Sequence, residues 1–363
     1  MTAAKPLALV SADWHVRKGD RVWANKIPAL SGDVSHSIQH ITEIAKEYGV
    51  SYVLLAGDIL EKQTQTSDVA QILRSAMDTF KRREQHVFYV QGQHELADPP
   101  WLGAVHDWPR YVKVDEVVTV GDFAMRGCDY LPLDKAEDVL KGLPAADILL
   151  THQVWNHPEY LGSRGYVDTA WVPAEYKMVI TGDYHVHQDN YIDNKVFISP
   201  GSIAMQKIDE DPSKWVYILY DDLTYKSVQL RTRSLYSADI DTEENLQLFI
   251  DNWEHRNPTG IDVPLYRIRY FSEIPGVVER LRNCVGAEAH VYLDPFRAVT
   301  TSLDVESEEL RQVVVNTGLE GCIRKYYEGA EGDLAVRLLN TNNVEEEIDK
   351  IFKELTAEDE DGN

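Results

Sequence analysis

Five short apolar runs in this chain end alike, and that repetition narrows the fold more than any other feature. Val53-Leu54-Leu55-Ala56 stops at Gly57-Asp58. Leu7-Ala8-Leu9-Val10-Ser11-Ala12 leads to Asp13 and His15, and Val87-Phe88-Tyr89-Val90-Gln91 leads to Gly92-Gln93-His94-Glu95. Ile148-Leu149-Leu150-Thr151 leads to His152, and Met178-Val179-Ile180-Thr181 leads to Gly182-Asp183-Tyr184-His185-Val186-His187. Short continuous apolar runs suit strands covered on both faces, as in a parallel sheet. Functional groups in open α/β sheets gather at the carboxyl ends of strands. Five such ends on one edge would bring together aspartate, histidine and amide oxygen, the donor set of a two-metal hydrolytic site.

Helical patterns fill the gaps. Asp33 or Ser35 opens a helix through Tyr48, with Ile38, Ile41, Ile44 and Ala45 on one face and Gly49 as its stop. Thr66 or Ser67 opens a second through Glu84, striped by Val69, Ile72, Leu73, Ala76 and Phe80. Alternating strands and helices predict right-handed crossovers and a parallel sheet. Short strands over 117–120 and 123–126 follow, joined at Gly121-Asp122, then a helix over 135–143. Residues 153–176 read as a long loop whose Trp155, Tyr160, Tyr166 and Trp171 either stack on bases or pack the loop on itself. Hairpins over 190–198 and 215–231 flank Ser199-Pro200-Gly201-Ser202 and predict a second sheet. The expected fold class is α/β, a two-sheet sandwich over residues 1–235.

Residues 236–260 read as a connector with one helix, Asn245–Trp253. The strand Pro264–Tyr270, the helix Glu273–Val285 and the strand Ala287–Leu293 then form a small βαβ module, bounded at 236–300. Residues 301–356 read as helical (Glu306–Val315, Leu319–Tyr327, Leu334–Leu339, Val344–Leu355), and 357–363 as a disordered acidic tail.

The net charge of −24 excludes the overall basic footprint usual in a nucleic-acid binder. The charge is uneven: from Ser302 onward there are 17 acidic against 6 basic residues. Local basic groups remain at Arg17-Lys18, Arg21 and Lys26, and at Lys81-Arg82-Arg83, readable either as contacts for an anion or as solvated charge. Cys128, Cys284 and Cys322 form no CxxC pair, which fits a reducing cytoplasm. There is no signal-peptide pattern and no apolar run of membrane-spanning length, so no membrane association is expected.

Taken in order, Asp13/His15, Asp58, Gln93/His94, His152 and Asp183/His185/His187 resemble the motifs of the calcineurin-like metallophosphoesterase superfamily over residues 5–235. Within it, Gly182-Asp183-Tyr184-His185-Val186-His187-Gln188 and Ser199-Pro200-Gly201-Ser202 are similar to segments of SbcD-type DNA-repair nucleases and their phage recombination-endonuclease versions. The appended module is similar to that group's DNA-capping domain, and the C-terminal helices to the segment that binds its SbcC-type ABC ATPase.

The resemblance implies one divalent metal held by Asp13, His15 and His185, and another held by Gln93, His152 and Asp183, with Asp58 bridging. It implies His94 as the catalytic histidine, serving the leaving 3′ oxygen. Mn²⁺ is the expected ion, with Mg²⁺, Fe²⁺ or Zn²⁺ as alternatives. It further implies 3′→5′ exonuclease action on duplex ends, endonuclease action on single strands, and a homodimer within the ATPase complex.

Two positions depart from the group. Gln93 stands where it has Asn, and Asp183 where it has His. His187 is an alternative ligand if His185 and His187 are the pair, with Asp183 then behind them. Glu61 stands where some relatives have a second histidine, and no role is assigned to it. The competing readings are a small-molecule or cyclic-nucleotide phosphodiesterase on the same fold, and a non-catalytic scaffold that has lost the second metal.

Overall fold

The computed structural model describes residues 4–17, 33–63, 66–156, 167–206, 210–253, 264–271, 273–285 and 291–296. The readings for 301–356 and for the acidic tail lie outside these residues, as do Tyr160, Tyr166, Lys18, Arg21 and Lys26. Contacts divide the chain into two compact units, Met1–Pro295 and Phe296–Asn363. The first is described below.

In chain order the elements begin with β1 (Pro6–Ser11), α1 (Asp33–Glu47), β2 (Tyr52–Ala56), α2 (Ser67–Arg82), β3 (His86–Val90), α3 (Trp101–Val105) and β4 (Arg110–Tyr111). Next come β5 (Val118–Val120), β6 (Phe123–Cys128), α4 (Leu133–Lys141), β7 (Ile148–His152), β8 (Trp155–Asn156), β9 (Val167–Asp168) and β10 (Met178–Gly182). Then follow β11 (Gln188–Ile192), β12 (Lys195–Ser199), β13 (Trp215–Tyr220) and β14 (Tyr225–Gln229). The described chain closes with β15 (Leu235–Ile240), α5 (Glu243–Asn252), β16 (Leu265–Phe271), α6 (Val277–Val285) and β17 (Val291–Phe296).

Two six-stranded sheets result, ordered β14-β13-β1-β2-β3-β4 and β11-β12-β10-β7-β6-β5. Strand alternation divides the apolar residues between two faces. Ala8, Val10, Leu54, Ala56, Phe88 and Val90 of the first sheet pack against Met125, Ile148, Leu150, Met178, Ile180 and Ile198 of the second. The opposite face of the first sheet (Leu9, Val53, Leu55, Val87, Tyr89) packs on Ile38 and Ile41 of α1 and on Leu73, Met77 and Phe80 of α2. Leu149, Val179 and Phe197 turn to Ala136 and Leu140 of α4 and to Trp155. The layers are therefore α/β/β/α, as the run pattern predicts.

Three local readings change. The strand Trp215–Tyr220 joins the first sheet, antiparallel to β1, rather than the second. It is apolar on both faces, with Val216 and Ile218 on the helix side and Tyr217 and Leu219 between the sheets, which suits an interior strand. Trp155 is fully buried against Phe197 of β12, so it belongs to the core beneath α4 and is not available for base stacking. The supposed connector begins with a strand. β15 pairs in parallel with β16 in a three-stranded sheet β15-β16-β17, and Thr242 caps α5 through its hydroxyl. Ile240, Leu246, Ile268, Leu281 and Val285 form the core of this βαβαβ segment.

Candidate metal centre

Parallel register explains why distant motifs meet. Leu55 lies opposite Ser11, and Ala56 opposite Val90, so β1, β2 and β3 end level with one another. The loops beyond them continue the pairing: Asp13 donates its N–H to the Gly57 carbonyl at 3.1 Å, and His15 donates to the Asp58 carbonyl at 2.9 Å. In the second sheet Gly182 lies opposite His152. Asp13, His15, Asp58 and Asp183 all adopt left-handed backbone angles, with φ of 50°, 46°, 48° and 78°. Such residues cost about 1–3 kcal/mol each and persist where the surroundings over-determine them.

The side chains converge. Oδ2 of Asp58 stands 3.4 Å from His152 Nε2, and 3.8 Å from both His15 Nε2 and His94 Nε2. Asp13 Oδ1 stands 3.9 Å from His15 Nε2 and 4.0 Å from His152 Nε2. The Nε2 atoms of His15 and His185 are 3.1 Å apart. Three groupings, Asp13/His15/His185, His15/Asp58/His94 and Asp13/Asp58/His152, each bring their donor atoms within 4.8 Å of one another. Asp13 thus reaches both ends of the cluster, beyond the single set expected of it. Asp183 meets it differently: its amide N–H donates to Asp13 at 3.1 Å, and its Oδ1 accepts from the Gln93 side-chain amide at 2.7 Å.

Orphaned atoms test whether this chemistry fits a cation. Asp13 Oδ2, Asp58 Oδ2, Gln93 Oε1 and His152 Nε2 are buried without a hydrogen-bond partner. Each such atom costs about 1–3 kcal/mol if left unpaired. His152 Nδ1 lies 2.6 Å from the Ala56 carbonyl, which can only accept, so the ring carries its proton there and presents a lone pair at Nε2. Gln93, through its donation to Asp183, likewise has its carbonyl oxygen free. Oxygen and imidazole lone pairs left unpaired along one edge of the two sheets form a donor set that could bind metal ions.

Charge agrees with this. Burial opposes ionisation of both Asp58 and His152, yet their mutual attraction outweighs it, holding the carboxyl below its ordinary range and the imidazole above, so that without a cation Nε2 attracts a proton that a bound metal ion would displace. Glu95 is pushed up to about 8 by burial and then by the Asp58 charge. Its two oxygens take the N–H groups of Leu60, at 2.7 Å, and Gly92, at 3.4 Å, tying the β2 and β3 loops together.

The structure also places residues outside the cluster. His187 stacks against Trp215 and Tyr217 and meets the Ser227 hydroxyl at 2.9 Å, so His185 is the histidine of that segment that enters the cluster. Trp14 is fully buried and donates to the Ser11 hydroxyl. Among the described residues the basic groups have local partners: Arg17 pairs with Glu61 and Lys81 with Asp107, while Arg82 donates to the Thr79 hydroxyl and Arg83 to the Thr42 carbonyl. Glu210 has no motif around it in the sequence, yet its Oε1 meets His185 Nδ1 at 3.1 Å and its Oε2 meets Lys214 at 3.0 Å.

The Glu210 carboxyl is held down to about 2 from an ordinary 4.5; burial pulls the other way, but His185 and Lys214 outweigh it. A lowered carboxyl contributes stability above its unfolded value and loses it as the pH falls through the folded one. Chemical denaturation of Glu210→Gln across pH 6 to 2 is therefore expected to lose about 3 kcal/mol of the wild-type acid-side dependence. Parallel curves for the two proteins would contradict this.

A two-sheet α/β sandwich with aspartates and histidines at its strand ends defines a class of metal-dependent phosphoester hydrolases. Residues 8–187 match the family described as calcineurin-like phosphoesterase, and they form a metallophosphoesterase domain of that family. The protein is accordingly a hydrolytic phosphoesterase. A search of curated proteins finds no match.

Solved structures similar to the chain include an archaeal phosphodiesterase (15% identity, 61% of this chain and 99% of that chain, TM-score 0.36). Another is a dimetal phosphatase from Danio rerio (12% identity, 62% and 96%, TM-score 0.42). A third is the phosphoesterase Yfce from E. coli (12% identity, 61% and 97%, TM-score 0.33). Likenesses at this level are weak. Among the described residues, no helix is long and apolar enough to cross a membrane.

Proposed function

We propose that the chain is the nuclease subunit of an SbcCD-like recombination and repair complex, hydrolysing DNA phosphodiester bonds with two divalent cations. The observation that supports it most is the union of the two segments that resemble that group. Gly201, at φ 72°, packs against the backbone of His185–His187, and the Ser202 N–H donates to the His185 carbonyl at 3.3 Å. The Pro-Gly-Ser segment therefore acts as the backing of the histidine segment. The separate core of the β15–β17 segment favours DNA over a small phosphodiester, since a compact phosphodiesterase needs no such addition.

In this reading Asp13, His15 and His185 would hold one cation and Gln93, His152 and Asp183 the other, with Asp58 serving both. The cations supply a nucleophile at neutral pH and neutralise charge on the phosphoryl oxygens. The chain itself orients His94. Its Nδ1 lies 3.1 Å from the Glu61 carbonyl, which fixes the proton there and turns Nε2 toward the cluster. With a side chain 36% exposed, His94 stands at the mouth of the cluster. To serve the departing 3′ oxygen it would act as an imidazolium, protonated at both ring nitrogens: it would keep the Nδ1 proton on the Glu61 carbonyl and give the Nε2 proton to the leaving oxygen, a contribution of about 10²–10⁴-fold.

End-labelled duplex and single-stranded DNA with Mn²⁺ test the reading. Wild type is expected to release 3′ nucleotides, while His94→Ser loses about 10²–10⁴-fold in rate with its bound cations retained. Intact DNA alongside hydrolysis of small phosphodiesters would favour the phosphodiesterase reading instead. One cation or none, with no hydrolysis, would favour the scaffold. Truncation from about residue 302 is expected to abolish capture of an SbcC-type ATPase and leave cation content unchanged.

A further inference from the structure

His15 and His185 reach the cluster from different sheets, and each has a carboxylate behind its ring. Glu210 Oε1 lies 3.1 Å from His185 Nδ1, and Glu61 Oε2 lies 3.1 Å from His15 Nδ1, off the axis of the ring N–H. An ionised carboxylate can only accept, so the ring nitrogen facing it carries the hydrogen. Both Nε2 atoms then hold lone pairs, and they face each other at 3.1 Å. Two lone pairs at that distance repel unless a positive charge lies between them.

Each outer carboxylate has its own cation. Arg17 Nη1 is 3.0 Å from Glu61 Oε2, and Lys214 Nζ, on a side chain only 4% exposed, is 3.0 Å from Glu210 Oε2. Gln206 joins the two arms: its side-chain oxygen accepts from Arg17 at 2.7 Å, and its backbone N–H donates to Glu210 at 2.9 Å. Lys214 also donates to the Ser202 hydroxyl at 3.0 Å, which anchors this chain of contacts to the segment backing His185.

We propose that Glu61 and Glu210 are positioning residues that hold His15 and His185 as Nδ1–H tautomers and aim both Nε2 lone pairs at one divalent cation. Arg17 and Lys214 neutralise these carboxylates, so the carboxylates orient the rings and do not themselves compete for the ion. Carboxylates behind ligating histidines raise the basicity of the ligand, and their loss weakens metal affinity about 10–100-fold. The proposal rests on the cluster's binding cations and is independent of whether DNA is the substrate.

Calorimetric titration of the full chain with Mn²⁺, together with ¹⁵N-histidine spectra of the Zn²⁺-loaded protein, tests it. Glu61→Ala and Glu210→Ala are each expected to weaken one of two Mn²⁺ equivalents about 10–100-fold, with the other changed less than about threefold. Glu210→Gln, whose amide oxygen still accepts from Nδ1–H, is expected to recover part of the loss. The wild-type spectra are expected to show both rings protonated at Nδ1. Unchanged Mn²⁺ affinity in both alanine variants, or either ring protonated at Nε2, overturns the proposal. If an alanine variant fails to fold, Glu210→Gln and the wild-type spectra decide. Absent DNA cleavage with these binding results intact would count against the nuclease reading alone.

Discussion

Asp58→Ala is expected to lower phosphoester hydrolysis about a thousandfold or more and to remove at least one equivalent of bound divalent cation. The Asp58 Oδ2 atom is buried, lacks a hydrogen-bond partner and stands within 3.8 Å of Nε2 on His152, His15 and His94. Its other oxygen accepts the His94 N–H at 3.1 Å, so the same side chain positions the β3 loop. Loss of it removes a donor common to both ends of the cluster and leaves three imidazoles without their shared counter-charge. Several kcal/mol of transition-state stabilisation correspond to about 10³-fold in rate or more. Metal analysis and a chelator titration check the cause. Wild type should lose melting temperature on addition of chelator, because a ligand that binds only the folded state stabilises it. Asp58→Ala should respond much less. A variant with wild-type cation content and rate would show that the cluster is not the site of chemistry.

Gly92→Ala is expected to destabilise the fold by about 3 kcal/mol or more and to abolish hydrolysis. A Cβ at Gly92 would stand 2.0 Å from Asp58 Oδ1 and 2.6 Å from the Asp58 backbone nitrogen. The carboxylate cannot retreat without leaving the cluster, and the backbone nitrogen cannot retreat at all. Overpacking of this kind costs about 1–3 kcal/mol, with displaced polar contacts adding to it. Gly57→Ala should act similarly, since φ is 82° and its Cβ would stand 2.5 Å from His152 Nδ1. Gly49→Ala is the control. It shares a positive φ of 63° but has nothing within 4 Å, so it should cost only about 1 kcal/mol and leave hydrolysis unchanged. Thermal or chemical denaturation of the three variants separates collision from backbone strain. Equal losses in all three would refute the steric account.

These glycines show how the sequence carried the site. Gly57 and Gly92 precede Asp58 and Gln93 because two loops pass within contact distance there, and no residue with a side chain would let Asp58 lie between them. The apolar runs before them were long enough, and apolar enough on successive residues, to identify strands covered on both faces. Their order with intervening helical stripes implied the parallel part of the first sheet. The cluster of Asp13, His15, Asp58, His94 and His152 was legible because each residue sits at, or within a few residues beyond, the end of an apolar strand.

Other features were not legible at that level. Trp215–Tyr220 looked like a hairpin of the second sheet, and only the facing of the two sheets assigned it to the first. β15 was missed because Leu235–Ile240 lacks strict alternation, and its partner β16 lies a helix away. The ion pairs of β16 were likewise invisible locally: Arg267 meets Asp294 on β17, and Arg269 meets Asp239 on β15.

By itself, the sequence determined which residues could be ligands, because strand ends and the glycines beside them are local properties read from burial and backbone sterics. Only the tertiary structure decided which of them meet. His185 rather than His187 enters the cluster, Asp13 reaches both ends of it, and Glu61 and Glu210 stand behind the two histidines whose Nε2 atoms oppose each other. His15 and His185 are 170 residues apart. Contact between them depends on how two sheets face each other across a shared core, and no local periodicity encodes that distance.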